Sequence, residues 1–88
     1  MNTFCLIVSS PDGTLHDGEI AMLTLRGAEG ELAIMAGHAP LVTSVVACEG
    51  KMVSADDTER KFSVGGGLLS VTQRSVTLLT GSFAWQGE

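Results

Sequence analysis

Gly27-Ala28-Glu29-Gly30-Glu31-Leu32-Ala33-Ile34-Met35-Ala36-Gly37-His38-Ala39-Pro40-Leu41 is the stretch whose reading decides the fold. Gly27, Gly30 and Gly37 punctuate it, and glycine is used where the backbone must visit positive φ or pass close to another group. Pro40 biases Ala39 towards an extended conformation and withholds a ladder donor. Between these breakers, Leu32-Ala33-Ile34-Met35 is apolar and long enough for one short strand. The stretch therefore reads as two shaped loops around a strand, not as a helix. Loops held on a rigid scaffold are where recognition sits; an ordinary pair of turns is the plainer reading of the same residues.

The same punctuation runs outward in both directions. Upstream, residues 3 to 9 read as a strand, with Phe4, Leu6 and Val8 on one face and Cys5 and Ile7 on the other. Ser10-Pro11-Asp12-Gly13 is a turn by its Pro and Asp-Gly chemistry, and Asp17-Gly18 reads as a second. Residues 19 to 26 form the next strand. Downstream, Val42 to Cys48 is β-branched and strand-like, and Glu49-Gly50 reads as a turn. Residues 51 to 54 and 59 to 64 are strands around a polar loop, Ala55-Asp56-Asp57-Thr58, with Phe62 and Val64 pointing inward. Gly65-Gly66-Gly67 breaks the pattern as a bulge or a tight strand entry. Leu68 to Thr72 and Ser75 to Leu79 make a last hairpin around Gln73-Arg74. No stretch has a helical period. Short strands at spacings of roughly 8 to 12 residues predict an all-β sandwich or barrel. The division expected is a β-domain over residues 1 to 80 and a short tail, 81 to 88, without strand logic of its own.

Composition narrows the function classes. The 88 residues suit one small domain. Charged residues are only 17%, against 44% hydrophobic, so some apolar surface is expected to lie under a partner. Ten acids against five scattered bases give a net charge of −5, with three Phe and one Trp. That balance argues against binding nucleic acid or an anionic membrane surface. No apolar run approaches the roughly 20 residues of a membrane helix, and no signal peptide is read at the start. Cys5 and Cys48 are isolated in apolar surroundings and read as free thiols in a reducing compartment.

Catalytic patterns are not assembled. Cys5, His16, His38 and Cys48 lack metal-ligand spacing. His38 has no nucleophile placed beside it by a motif. The glycine run at 65 to 67 lacks the Gly-Lys-Ser/Thr ending and following helix of a phosphate loop. Glu29 and Glu31 flank Gly30 and read as a solvated acidic patch, with a catalytic carboxylate pair as the sharper alternative.

Gly-Glu-Leu-Ala-Ile-x-x-Gly-His-Ala-Pro-Leu, residues 30 to 41, resembles the central motif of the epsilon subunit of F-type ATP synthase, usually G-E-L-G-I-x-P-G-H-A-P-L. Ile7 to Gly13 and Phe62 to Leu68 look like further signatures of that family, and the register holds from about Phe4 to Leu79. Ala33 and Ala36 stand where the family has Gly and Pro, which softens the loop pattern without breaking it. The resemblance implies a two-sheet β-sandwich of about ten short strands with no C-terminal helices. It implies a non-catalytic central-stalk subunit that binds the gamma subunit and the membrane rotor ring and couples proton flow to ATP synthesis. The positions that look gamma-facing are Ser10, Met35, His38, Ala39, Pro40, Leu41 and Thr43; those that look ring-facing are Glu29, Gly30, Glu31 and Leu32. No cofactor, metal or catalytic residue is implied, and the location implied is peripheral, on the cytoplasmic face of an energy-transducing membrane. Family members continue into a hairpin of two charged helices. Without them, neither nucleotide binding nor the inhibition assigned to those helices is expected of this stretch. The alternative function, from another class, is a stand-alone sandwich binding a peptide or small molecule at its Gly-rich rims.

Overall fold

The structure, a computed structural model, describes residues 2 to 86. Ten strands carry it: β1 Phe4–Ser10, β2 Gly13–Ile20, β3 Met22–Gly27, β4 Gly30–Met35, β5 Leu41–Val45, β6 Cys48–Val53, β7 Glu59–Val64, β8 Gly67–Val71, β9 Ser75–Thr80 and β10 Phe83–Trp85. No helix occurs among the described residues. The strand path is β10-β7-β6-β3-β5-β8-β9-β1-β2, with β4 added to β3. At β3 and β5 the path is held by one pair, Gly27 with Val45. The sheet folds there into two layers, β4-β3-β6-β7-β10 and β5-β8-β9-β1-β2. Among the described residues all pairings are antiparallel except β1 with β9, which places the first strand inside the second layer, between β9 and the edge strand β2.

The alternation read from the sequence sorts the side chains as expected. Phe4, Leu6 and Val8 are buried, and so are Ile20, Leu23, Leu25, Ile34, Met52, Phe62, Val64, Leu69, Val71, Val76 and Leu78. These fill the space between the layers. Cys5 and Cys48 are free thiols, each half-buried. The turn at Pro11-Asp12 is fixed by the Asp12 amide donating to Ser10 Oγ at 3.2 Å. The loop between β6 and β7 is built around Asp56, whose carboxylate accepts from the Ser54 hydroxyl and the Thr58 amide. Those donors, Ser54 first, hold the Asp56 carboxyl below its usual range.

Four sequence readings are corrected. Asp17 and Gly18 lie inside β2, not in a turn. That strand sits at the edge of its layer, mostly exposed, so it has no apolar alternation to announce it. Glu49 and Gly50 lie inside β6. Gly50 is there for space: a Cβ would meet Phe62 Cζ at 2.5 Å and Thr24 O at 2.7 Å. Val42 to Cys48 is not one strand, since β5 ends at Val45 and β6 begins at Cys48. The tail after Thr80 does contain a strand, β10, paired with β7 from Phe83 opposite Val64 to Trp85 opposite Phe62.

Candidate interaction faces

The two outer faces differ in chemistry. On the β4-β3-β6-β7 layer, cross-strand register places Glu31 opposite Arg26, Lys51 opposite Lys61 and Glu49 opposite Ser63. Lys51 pairs with Glu59 at 3.7 Å. This is a charged, solvated face. The sequences of β1, β5, β8 and β9 contain no charged residue. Their outward rows are Ser44, Leu68, Leu79 and Ser9, then Val42, Ser70, Thr77 and Ile7. Val42 is 66% exposed, Leu68 45% and Leu79 49%. Ser9, Ser10, Pro11, Gly67 and Leu79 line a groove of about 420 Å³ at one end of this face.

The residues expected to face the gamma subunit are spread over the domain. Leu41 and Thr43 are half-buried on β5; Leu41 packs against the core, and the Thr43 hydroxyl donates to Ser44 O at 3.3 Å. His38, Ala39 and Pro40 form the loop before β5. The His38 amide donates to Met35 O at 3.1 Å, and its ring Nδ1–H donates to Ala39 O at 2.8 Å, so the loop is folded back on itself. Met35 ends β4 and is 55% exposed, but by register with Met22 it belongs to the charged layer. Ser10 lies at the far end of β1, the end shared with Gly67 and Thr80 and opposite to the His38 loop. Val42, Leu68 and Leu79 were missed by the sequence reading. Their signal was present: a Leu-Leu doublet in a two-residue period must turn one leucine outward, and both 68-69 and 78-79 are such doublets.

The ring-facing candidates form one feature. Glu29 lies in the β3–β4 turn, and Gly30 opens β4 directly after it with φ +131°, a conformation that favours glycine. Glu31 follows on β4, and all three are exposed. Leu32 is half-buried against the core and anchors the turn from below. Glu31, Arg26, Cys48 and Glu49 line a polar groove of about 330 Å³ beside it. Among the described residues no group of three or more His, Cys, Asp or Glu is placed to hold a metal ion. The arrangement offers two surfaces of different chemistry: a four-strand stretch without charged residues and an acidic turn.

Residues 3 to 86 match the family described as ATP synthase, Delta/Epsilon chain, beta-sandwich domain. The chain belongs to that family. It is 35% identical over 86 residues to an ATP synthase epsilon chain, sodium ion specific, of Acetobacterium woodii. The match takes in 98% of this chain and 65% of that relative, so the chain spans about two thirds of the relative's length. The fold is similar to chains in two solved assemblies. One is the Euglena gracilis mitochondrial ATP synthase OSCP/F1/c-ring, with TM-score 0.89, 20% identity, and coverage of 94% of this chain and 53% of that one. The other is the Tetrahymena thermophila mitochondrial ATP synthase central stalk and c-ring, with TM-score 0.75, 11% identity, and coverage of 93% and 66%. The all-β architecture expected from the residues, and the two-sheet sandwich that the resemblance implies, are thus the family's architecture.

Proposed function

We propose that this epsilon-type sandwich is a non-catalytic subunit of the central stalk of an F-type ATP synthase. It holds the gamma subunit through the uncharged face of β5-β8-β9-β1 and the loop at His38, Ala39 and Pro40. It rests on the membrane rotor ring through the acidic turn at Glu29, Gly30 and Glu31. In this reading it couples ion flow to ATP synthesis as a mechanical part, is peripheral to the membrane, and binds no nucleotide itself. The observation that carries it is the division of one family domain into four adjacent strands, β5-β8-β9-β1, that carry no charged residue and expose Val42, Leu68 and Leu79, bordered by Asp17 and Glu19 of β2, and an acidic turn at their end. An apolar patch of that kind marks an association site.

The test is assembly with the gamma subunit of the same enzyme. Val42→Asp places a charge where the contact would be desolvated, yet Val42 is too exposed for the change to disturb the core. Charge burial or truncation at an interface centre costs about 2 kcal/mol or more, roughly thirtyfold in affinity. The expected result is that Val42→Asp with Leu79→Asp weakens co-assembly by at least that factor, with an unchanged circular dichroism spectrum. Full assembly by this double variant would move the contact elsewhere.

For the acidic turn, the double reversal Glu29→Lys and Glu31→Lys is the informative change. Single exposed ion pairs contribute only about 0 to 1 kcal/mol and are screened by salt, so one substitution is too small to read. The double reversal is expected to lower ion-driven ATP synthesis in reconstituted vesicles while ATP hydrolysis by the detached catalytic head is unchanged. Loss of hydrolysis by the detached head would mean that the turn acts on catalysis.

A further inference from the structure

The strand path has two free ends, β10 in one layer and β2 in the other. Both ends lie on the same side of the sandwich, because side chains meet across the gap. The His16 ring of β2 approaches the Trp85 ring of β10 edge-on, with centroids 6.0 Å apart and planes at 67°. No ladder pairing between β2 and β10 occurs among the described residues. This seam is therefore closed by side chains alone.

Trp85 is the centre of the closure. The Arg60 guanidinium lies over its ring, 3.6 Å from the centroid. Phe83 meets it edge-on at 5.1 Å and Phe62 at 6.3 Å. The His16 ring is fixed by its Nδ1–H donating to Leu6 O at 3.0 Å, so the partner across the seam is held in place. The strand that carries Trp85 is short: three residues, paired only with β7. At its ends the Gly65 amide donates to Ser82 O and the Gln86 amide to Lys61 O, both at 2.9 Å; the Ser82 amide and carbonyl also bond the Thr80 hydroxyl, and the Gln86 side-chain amide donates to Glu49 at 2.8 Å and to Ser63 Oγ at 2.9 Å. Before it comes Gly81, exposed and with open space around its Cα.

We propose that β10 is a releasable latch. It opens as a unit about Gly81 and Ser82, uncovering Phe62 along the edge of β7, while both layers stay folded. The stack of Arg60, Trp85 and His16 sets how often it opens. The physical reason is the uneven distribution of burial. The fully buried side chains Leu6, Val8, Leu23, Phe62, Leu69 and Leu78 all lie on other strands, whereas Phe83 and Trp85 are only half-buried. Segments with few buried contacts open locally at far lower cost than the whole domain.

Native-state hydrogen exchange on the full chain tests this, with the Gly65 and Gln86 amides as reporters of the latch and the Leu69 and Leu78 amides as reporters of the core. The Gly65 and Gln86 amides are expected to exchange more than tenfold faster than those of Leu69 and Leu78, with little dependence on denaturant. Removing the cation over the ring, Arg60→Ala, or the ring across the seam, His16→Ala, is expected to speed the latch amides about two- to fivefold and to raise acrylamide quenching of Trp85, with Leu69 and Leu78 unmoved. The latch is overturned if Gly65 and Gln86 exchange at the rate and denaturant dependence of Leu69 and Leu78. It is overturned equally if both variants leave latch exchange unchanged, or speed latch and core alike.

Discussion

Replacing Gly67 by alanine is expected to abolish the cooperative fold. A Cβ at this position would stand 2.0 Å from the Leu79 carbonyl oxygen, 3.0 Å from its carbon and 3.1 Å from Thr80 Cα. These are backbone atoms of the neighbouring strand, which no rotamer change can move aside. Gly67 opens β8 and is paired on both sides, with Thr80 of β9 and Val45 of β5. Relief therefore requires β9 to separate from β8, which draws Leu78 away from Leu69 in the core. Native domains have about 5 to 15 kcal/mol of stability to lose, and small ones sit at the low end. Backbone overlap in a central pairing belongs with the exceptional substitutions that cost about 4 kcal/mol or more. In urea titrations followed by circular dichroism, Gly67→Ala should lose its cooperative transition. Gly81→Ala, whose new methyl meets nothing within 4 Å, should keep a midpoint close to that of the parent. A normal transition in Gly67→Ala would mean that β8 and β9 are not paired in this register.

The second large effect is expected at Phe62. Its side chain is fully buried, stacked on Phe83 at 5.0 Å, with Gly50 vacated beneath it. Truncating a buried phenylalanine costs about 3 to 5 kcal/mol through lost transfer energy and the cavity left behind. Here the neighbours cannot easily collapse into the void, because the glycine beneath has no side chain to move. In a domain of this size each kcal/mol corresponds to about 4 to 8 °C, so Phe62→Ala should lower the melting temperature by more than about 10 °C in calorimetry. A shift of only a few degrees would show that the two layers close over the gap.

How legible this domain is from its residues depends on which face a strand buries. Strands with one apolar side, such as Phe4-Leu6-Val8 and Phe62-Val64, announce both their existence and their orientation. β2 does not, because an edge strand with half its surface in water can be built from Thr, His, Asp and Glu. Glycine misled in one particular way. Glu49-Gly50 has turn chemistry, but Gly50 is absent of side chain so that Phe62 fits above it, a requirement set by a residue twelve positions away. β10 was illegible for the related reason that three residues cannot show a period. Of the candidate contacts, the acidic turn at Glu29 to Glu31 is a single local feature and was legible as such. The uncharged face is a property of four strands side by side, and only the register reveals that Leu68 and Leu79 are neighbours.

The parallel pairing of β1 with β9 also has a temporal side. β1 and β2 form a hairpin that can close as soon as they leave the ribosome. The other edge of β1 has no partner until Ser75 to Leu79 arrive, with Ser75 opposite Cys5. Through most of its synthesis the domain therefore carries an unsatisfied strand edge, Cys5 to Ser9, which includes the apolar Leu6 and Val8. Closing so distant a pair orders a long loop before any contact rewards it, the situation that places all-β domains among the slow folders, at about milliseconds to seconds. A late strand, β9, thus commits the first to its place.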